Sequence, residues 1–168
     1  MTVTTWYIEI DSPVGPMRLA TDGAALCRID FLAGLADRRT PEDWIRAEAP
    51  LKTVVEQLKA YFAGALRDFD APLAPQGTEF QQRVWRCLRE IPYGATISYS
   101  ELATRVGNPK AFRAVGLANG QNPIPIVIPC HRVIGKDGTL VGYGGGLAIK
   151  EKLLALERGQ RGLVLSTA

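Results

Sequence analysis

Short apolar-rich runs bounded by turn-forming residues open the chain. Trp6 to Ile10, Met17 to Thr21 and Ala25 to Phe31 predict three strands, with Ser12-Pro13-Val14-Gly15 as the turn between the first two. The spacing then lengthens. Val54, Val55, Leu58, Tyr61 and Phe62 recur at helical intervals, which predicts a helix from Leu51 to Ala63 with one apolar face. A small antiparallel sheet with one helix accounts for this half, and none of its residues stands out as bearing chemistry. From Asp70 to Gly77 proline and glycine interrupt the pattern in the manner of a linker or long connection. A domain boundary is expected there, between residues 1–76 and residues 77–168.

Beyond it the pattern is helical. Thr78-Glu79-Phe80-Gln81 has the form of a capping box, and Phe80, Val84, Leu88 and Ile91 mark one helical face as far as Pro92. Ser98-Tyr99-Ser100-Glu101 repeats the form and opens a short helix that should end near Gly107. Asn108 is then the expected cap, and Pro109 the first turn, of a further helix reaching Gly120. Two short helices joined at Gly107-Asn108 make either a helix-turn-helix or an ordinary helical hairpin. The second helix favours the former, because its Ala and Gly residues leave a low profile from which Arg113 projects toward a partner surface. A last helix is expected over Ala148 to Arg158.

Charge sharpens the division. The net +3 hides a balance of −3 over residues 1–76, with 8 Lys/Arg and 11 Asp/Glu, and of +6 over residues 77–168, with 12 and 6. A basic second half suits a polyanionic partner. With 46% hydrophobic and 22% charged residues the chain has the composition of a soluble globular protein with a packed core. No apolar run approaches the ~18 residues that cross a membrane, and the N-terminus lacks a basic segment followed by an apolar one. A cytoplasmic location is expected. Three cysteines without a short CxxC spacing suit a reducing compartment, and Cys27 and Cys87 read as structural.

The chemistry concentrates in Ile128-Pro129-Cys130-His131-Arg132-Val133, where the sole histidine follows a cysteine. One histidine disfavours most metal sites. A buried core cysteine and a thiol tuned by an imidazole both fit the pair; Pro129 on one side and two titratable or charged residues on the other favour the nucleophile. The two side chains lie on what reads as an extended segment and should point apart, which disfavours a hydrolase that uses them as a directly bonded pair. A non-catalytic module that binds modified bases is the other rival reading.

With Asn122-Pro123-Ile124-Pro125 before this motif and Gly142-Tyr143-Gly144-Gly145-Gly146 after it, the chain resembles the O6-alkylguanine-DNA alkyltransferases, or methylated-DNA–protein-cysteine methyltransferases. The likeness is dense over residues 78–157 and looser before them. It implies an α+β fold, with a ribonuclease-H-like sheet and helix followed by a winged-helix or helix-turn-helix domain carrying the reactive cysteine. The implied activity is direct DNA repair: the alkyl group of O6-alkylguanine, and of O4-alkylthymine, passes in one irreversible step to Cys130. The implied partner is double-stranded DNA approached from the minor groove by a monomer, with cooperative binding left open.

The resemblance also assigns roles. His131 takes the thiol proton through a water, oriented by Glu157, which on the residues alone would read as a solvated charge. An unperturbed thiol, pKa ~8.5, is only a few per cent thiolate at pH 7, so such activation is needed. Arg113 fills the gap left by the flipped base, and Tyr99 presses on the 3′ phosphate and meets the base edge. Asn122 ties the second helix to the nucleophile loop. Tyr143 walls the base pocket, the N–H of Gly144 meets O6, and the carbonyls of Cys130 and Val133 accept the guanine amine. Gly144 stands where many members carry serine. Relatives that bind zinc in the N-terminal domain use cysteine and histidine there; this chain has only Cys27, so no metal and no other cofactor is expected.

Overall fold

The computed structural model describes residues 2–159; residues 160–168, the end of the expected second unit, lie outside the described residues. The N-terminal sheet is built on β1 (Trp6–Ile10), β2 (Met17–Thr21) and β3 (Leu26–Phe31). All three pair antiparallel, with Ile8 opposite Leu19 and Leu19 opposite Ile29. Central β2 is buried along its whole length. That includes Arg18, whose guanidinium reaches Asp30 at 3.3 Å, the Arg38 carbonyl at 3.0 Å and the Thr40 hydroxyl at 3.2 Å. This knot fastens the irregular segment that leads to β4 (Ile45–Arg46), a two-residue strand parallel to β1 that the sequence pattern did not signal. Two exposed residues carry no periodicity from which to read it.

Helix α1 (Lys52–Phe62) turns Val54, Leu58, Tyr61 and Phe62 inward, with Val55 partly buried, as the spacing predicts. In the second half α2 (Glu79–Arg89) begins with the expected capping box: the Thr78 hydroxyl accepts from the Gln81 N–H at 3.1 Å, and the Gln81 side chain accepts from the Thr78 N–H at 2.8 Å. Helix α3 (Tyr99–Val106) is capped by Ser98 and stopped by Gly107 at φ 99°. The next helix starts later than expected. Asn108 folds Lys110 and Ala111 into a turn, so α4 spans Phe112–Gly120 without a side-chain cap, and Asn108 and Pro109 lie outside it. The Trp85 indole ties α2 to α4 through the Ala118 carbonyl at 2.9 Å. Strands β5 (Ile97–Ser98) and β6 (Val133–Ile134) form a short parallel pair, and α5 (Leu147–Glu157) closes the described chain.

One apolar core runs across residues 76 and 77, joining Met17, Leu19 and Leu58 to Leu88, Ile91 and Leu153. Backbone bonds cross as well, for example Ile29 N–H to the Pro123 carbonyl at 2.9 Å. The loop that delivers Cys130 is held by Asn122, whose amide nitrogen donates to Ile128 O at 2.7 Å and whose oxygen accepts from Ile124 N–H at 2.9 Å. Within it Ile126 adopts φ 74°, a conformation that costs a β-branched residue ~1–3 kcal/mol and persists only under strong packing. Ile124, Ile126 and Ile128 are all buried. The segment after Pro129 is a 3-10 turn, Cys130–Arg132, and not the extended segment expected. A tight turn lets Cys130 and His131 serve one site despite their adjacency.

Candidate active site

Cys130 and Tyr143 line a cavity of about 740 Å³ that opens to the surface. Its walls come from both halves of the chain: Ile29, Phe31 and Leu35 on one side, Tyr99, Asn119 and Gly144 on the other. The thiol itself is buried, Cys130 being 5% exposed. Burial pushes its pKa up, opposed by the Asn122 side chain and the Lys150 ammonium, so the resting sulfur is a protonated thiol. The Tyr143 hydroxyl is buried without a conventional partner and faces that sulfur, a weak acceptor.

Behind the thiol lies a closed polar cluster. His131 is 0% exposed, and its Nε2 lies 2.7 Å from Glu157 Oε2. A carboxylate acceptor places the imidazole proton on Nε2 and leaves Nδ1 a free lone pair; Nδ1 is buried and has no hydrogen-bond partner. Burial holds the imidazole pKa below its usual value, with Glu157 opposing, so the ring is neutral and able to accept a proton. Burial alone would raise the Glu157 carboxyl, yet the bonds from His131 and Arg132 overcome it and bring the carboxyl to about 2. Arg132 grips the carboxylate with Nε at 2.7 Å from Oε1 and Nη2 at 3.0 Å from Oε2, and its Nη1 donates to Ile91 O at 2.7 Å. The anion is permanent, and its geometry is fixed from several sides.

The structure brings most of the expected residues to this place. His131, beside Cys130 in the chain, meets Glu157, and Tyr99, Asn122, Tyr143 and Gly144 line the cavity with Cys130. The Tyr99 hydroxyl donates to Val141 O at 2.9 Å, which pins the loop carrying Tyr143. Arg113 is not at the cavity. It stands exposed on α4 over the Phe112 ring, beside the exposed apolar side chains of Phe112 and Leu117. Val133 is also outside the cavity lining, and its carbonyl already accepts from Lys150 Nζ at 2.7 Å.

Four contributors escaped the sequence reading. Lys150 is fully buried and stitches Val133 O, Val141 O and Gly142 O together at 2.7, 3.2 and 3.3 Å. Asn119 donates to Cys130 O at 3.4 Å. Arg132 holds Glu157, and Tyr61, from α1, donates its hydroxyl to Glu157 Oε2 at 2.6 Å. One signal was present: Lys150, Leu153, Leu154 and Glu157 follow the i, i+3, i+4, i+7 rule, which puts two charges on the buried stripe of α5.

The glycine loop has position-specific constraints. A Cβ on Gly145 would meet the Phe31 ring at 2.7 Å, so the two halves touch there through a hydrogen atom. At Gly144 the nearest atom to a Cβ is Gly120 O at 4.0 Å, which leaves room.

Residues 5–75 match the family model of the 6-O-methylguanine DNA methyltransferase ribonuclease-like domain, and residues 79–159 that of the 6-O-methylguanine DNA methyltransferase DNA binding domain. The methylated-DNA–protein-cysteine methyltransferase of Methanosarcina acetivorans is 53% identical over 152 residues, 90% of this chain and 97% of its own. That of Mycobacterium bovis is 51% identical over 152 residues, 90% of this chain and 92% of its own. Among solved structures, Mycobacterium tuberculosis OGT in complex with DNA superposes with a TM-score of 0.84 at 49% identity, covering 92% of this chain and 93% of that one.

Proposed function

The chain belongs to the methylated-DNA–protein-cysteine methyltransferase family, and from that membership we propose how its own residues carry out the transfer. The protein repairs DNA by moving an alkyl group from the base to a cysteine of its own. Cys130 is that cysteine. The observation that carries the assignment is the buried thiol on the cavity wall beside a histidine bonded to a permanent anion at 2.7 Å.

The chemistry follows from the protonation states. Nδ1 of His131 takes the thiol proton through one bridging water, and Glu157 stabilises the imidazolium that forms. The thiolate attacks the alkyl carbon; a C–S bond forms as the C–O6 bond breaks, the electron pair leaves onto the guanine, and O6 becomes a carbonyl as N1 takes up a proton, which balances the one lost by the thiol. A thioether has no ready leaving group, so each molecule acts once. O4-alkylthymine offers the same alkyl–oxygen bond and is a second substrate.

The base must leave the stack to reach Cys130. Helix α4 enters the minor groove with Arg113 replacing the flipped nucleotide, and Tyr99 presses on the neighbouring phosphate. Support comes from the exposed Arg113, Phe112 and Leu117 on one helix and from the basic second half. Asn122 fixes the nucleophile loop, Tyr143 walls the base, and the Gly144 N–H meets O6. The Cys130 carbonyl accepts the guanine amine; Val133 O keeps one lone pair for it beside Lys150. The acting form is a monomer of two units divided near residues 76 and 77. Its three free cysteines suit the cytoplasm, and among the described residues no helix is long and apolar enough to cross a membrane.

Incubation with an oligonucleotide containing O6-methylguanine, followed by intact-protein mass, tests the assignment. One added methyl per molecule, lost in Cys130→Ala, is expected. Unchanged mass with tight binding would point to a non-catalytic module, and turnover of an ester or amide to a hydrolase.

A further inference from the structure

Glu157 Oε2 has three donors. Two, His131 Nε2 and Arg132 Nη2, come from the turn that carries the nucleophile. The third is the Tyr61 hydroxyl at 2.6 Å, the shortest of the three, supplied by α1 from the half of the chain without other assigned chemistry. Tyr61 is 0% exposed. A buried hydroxyl needs a partner, and a carbonyl would have satisfied it. The partner here is the one carboxylate oxygen that also faces the base.

Each donor on Oε2 draws charge away from the bond to His131 and limits where that oxygen can move. Burial first, and the Glu157 charge second, push the phenol's pKa far above the tyrosine range, so Tyr61 stays protonated and donates at every working pH. Its ring is wedged by Phe62, Phe69 and Tyr93 at centroid distances of 5.5, 5.4 and 6.2 Å, which fixes the hydroxyl's direction. We propose that Tyr61 is a positioning residue for alkyl transfer: its hydroxyl orients Glu157 Oε2 and damps that oxygen's pull on His131, so the sheet-and-helix half sets the strength of the base. This rests on the reading of Cys130, His131 and Glu157 as one proton relay.

The groups that act on His131 are Glu157 and Lys150 from α5 and Arg132 from its own turn; Tyr61 reaches it through Glu157, Tyr143 faces the Cys130 thiol, and Tyr93 stacks on Arg132. Tyr61→Phe changes only one of these inputs, because the ring contacts remain. Without the hydroxyl, Oε2 bears more charge toward Nε2, the imidazolium is stabilised, and the base titrates at higher pH.

His131 is the only histidine, so its ring protons give a single NMR titration that needs no DNA and no transfer. In Tyr61→Phe the midpoint should rise by about half a unit. The acid limb of the single-turnover rate with O6-methylguanine DNA should move up with it, while the plateau rate falls about threefold to tenfold. Placing 3-fluorotyrosine at position 61, a stronger donor with the same shape, should shift the midpoint down, and this arm stands if the phenylalanine variant does not fold. An unmoved midpoint in both variants, or a slower rate with an unmoved midpoint, would reduce Tyr61 to packing and overturn the proposal. If the native protein takes up no methyl, the relay reading fails instead, and the His131 titration still reads Tyr61's effect on the ring.

Discussion

Two arginines among the described residues are buried against carboxylates, and the halves use them differently. In the sheet, Arg18 meets Asp30 at 3.3 Å, shares it with the half-exposed Arg28 at 2.8 Å, and spends its remaining donors on the Arg38 carbonyl and the Thr40 hydroxyl. In the helical half, Arg132 meets Glu157 through two bonds, at 2.7 and 3.0 Å, and the same carboxylate serves His131 and Tyr61. The first pair pins a loop. The second builds a fixed anion against a base. What separates them is the third party: Asp30 is satisfied by cations alone, whereas Glu157 passes its charge to a group that can take up a proton. Burial and pairing are therefore poor guides to function until the rest of the carboxylate's shell is counted.

Removing the anion should separate the pairs most sharply. Glu157→Gln keeps the size and most of the packing, yet transfer from O6-methylguanine DNA should fall by about 10²–10³-fold in a single-turnover assay, the range lost when general-base support is removed. A loss under threefold would mean that His131 works without Glu157.

Acid should find the same pair next. A carboxyl held at about 2 in the fold, against an ordinary 4.5, gives stability that is fully present above pH 4.5 and drains away as pH falls through 2. The buried neutral His131 acts in the same direction: below pH 6.5 the unfolded chain takes up a proton that the folded ring refuses. Thermal melts should therefore drop steadily from pH 7 to pH 3, by a few kcal/mol in total. In Glu157→Gln the part of that drop below pH 4.5 should shrink, and an unchanged profile would locate acid sensitivity elsewhere.

A third arginine sets the outer limit of the comparison. Arg113 has no carboxylate partner among the described residues and stands exposed on α4. Arg113→Ala should lower repair of duplex DNA by about 10–100-fold, a loss on the scale of the few kcal/mol needed to extrude a base, while transfer from free O6-methylguanine stays within twofold. Equal losses on both substrates would remove it from base flipping. DNA affinity should also fall as salt rises.

The smallest effect belongs to the sheet. Asp30→Asn should cost about 1–2 kcal/mol in denaturant unfolding, less than a fully buried pair because Arg18 keeps the Arg38 and Thr40 contacts, and should leave the transfer rate unchanged. A slower transfer would show that the β3 wall of the cavity feeds the chemistry directly.

Much of the fold was legible because its signals were local. Turn residues framed β1 and β2 to the residue, and the capping boxes announced α2 and α3. What failed was decided at a distance. Strand β4 pairs with β1 after a segment held by Arg18 from another strand, and α4 starts late because Asn108 turns the chain before a helix can form. At the site, Cys130 and His131 were readable from their adjacency and the lone imidazole. Glu157 needed the family likeness, although its place with Lys150 on an apolar stripe was a physical clue. Tyr61 was foreseen as core, and nothing in a helical period says which buried hydroxyl will find a carboxylate in the other half of the chain.

The glycine run that walls the cavity carries a lesson about change over generations. A side chain at position 145 has nowhere to go, because the ring of Phe31 already occupies its space. Position 144 faces open room only one residue away. Drift can thus rewrite one letter on the cavity wall, trying serine or alanine without disturbing the seam between the halves, while the neighbouring letter is held by a phenylalanine more than a hundred residues upstream. Substrate tolerance can evolve here one residue at a time, because the loop's freedom and its restraint fall on different codons.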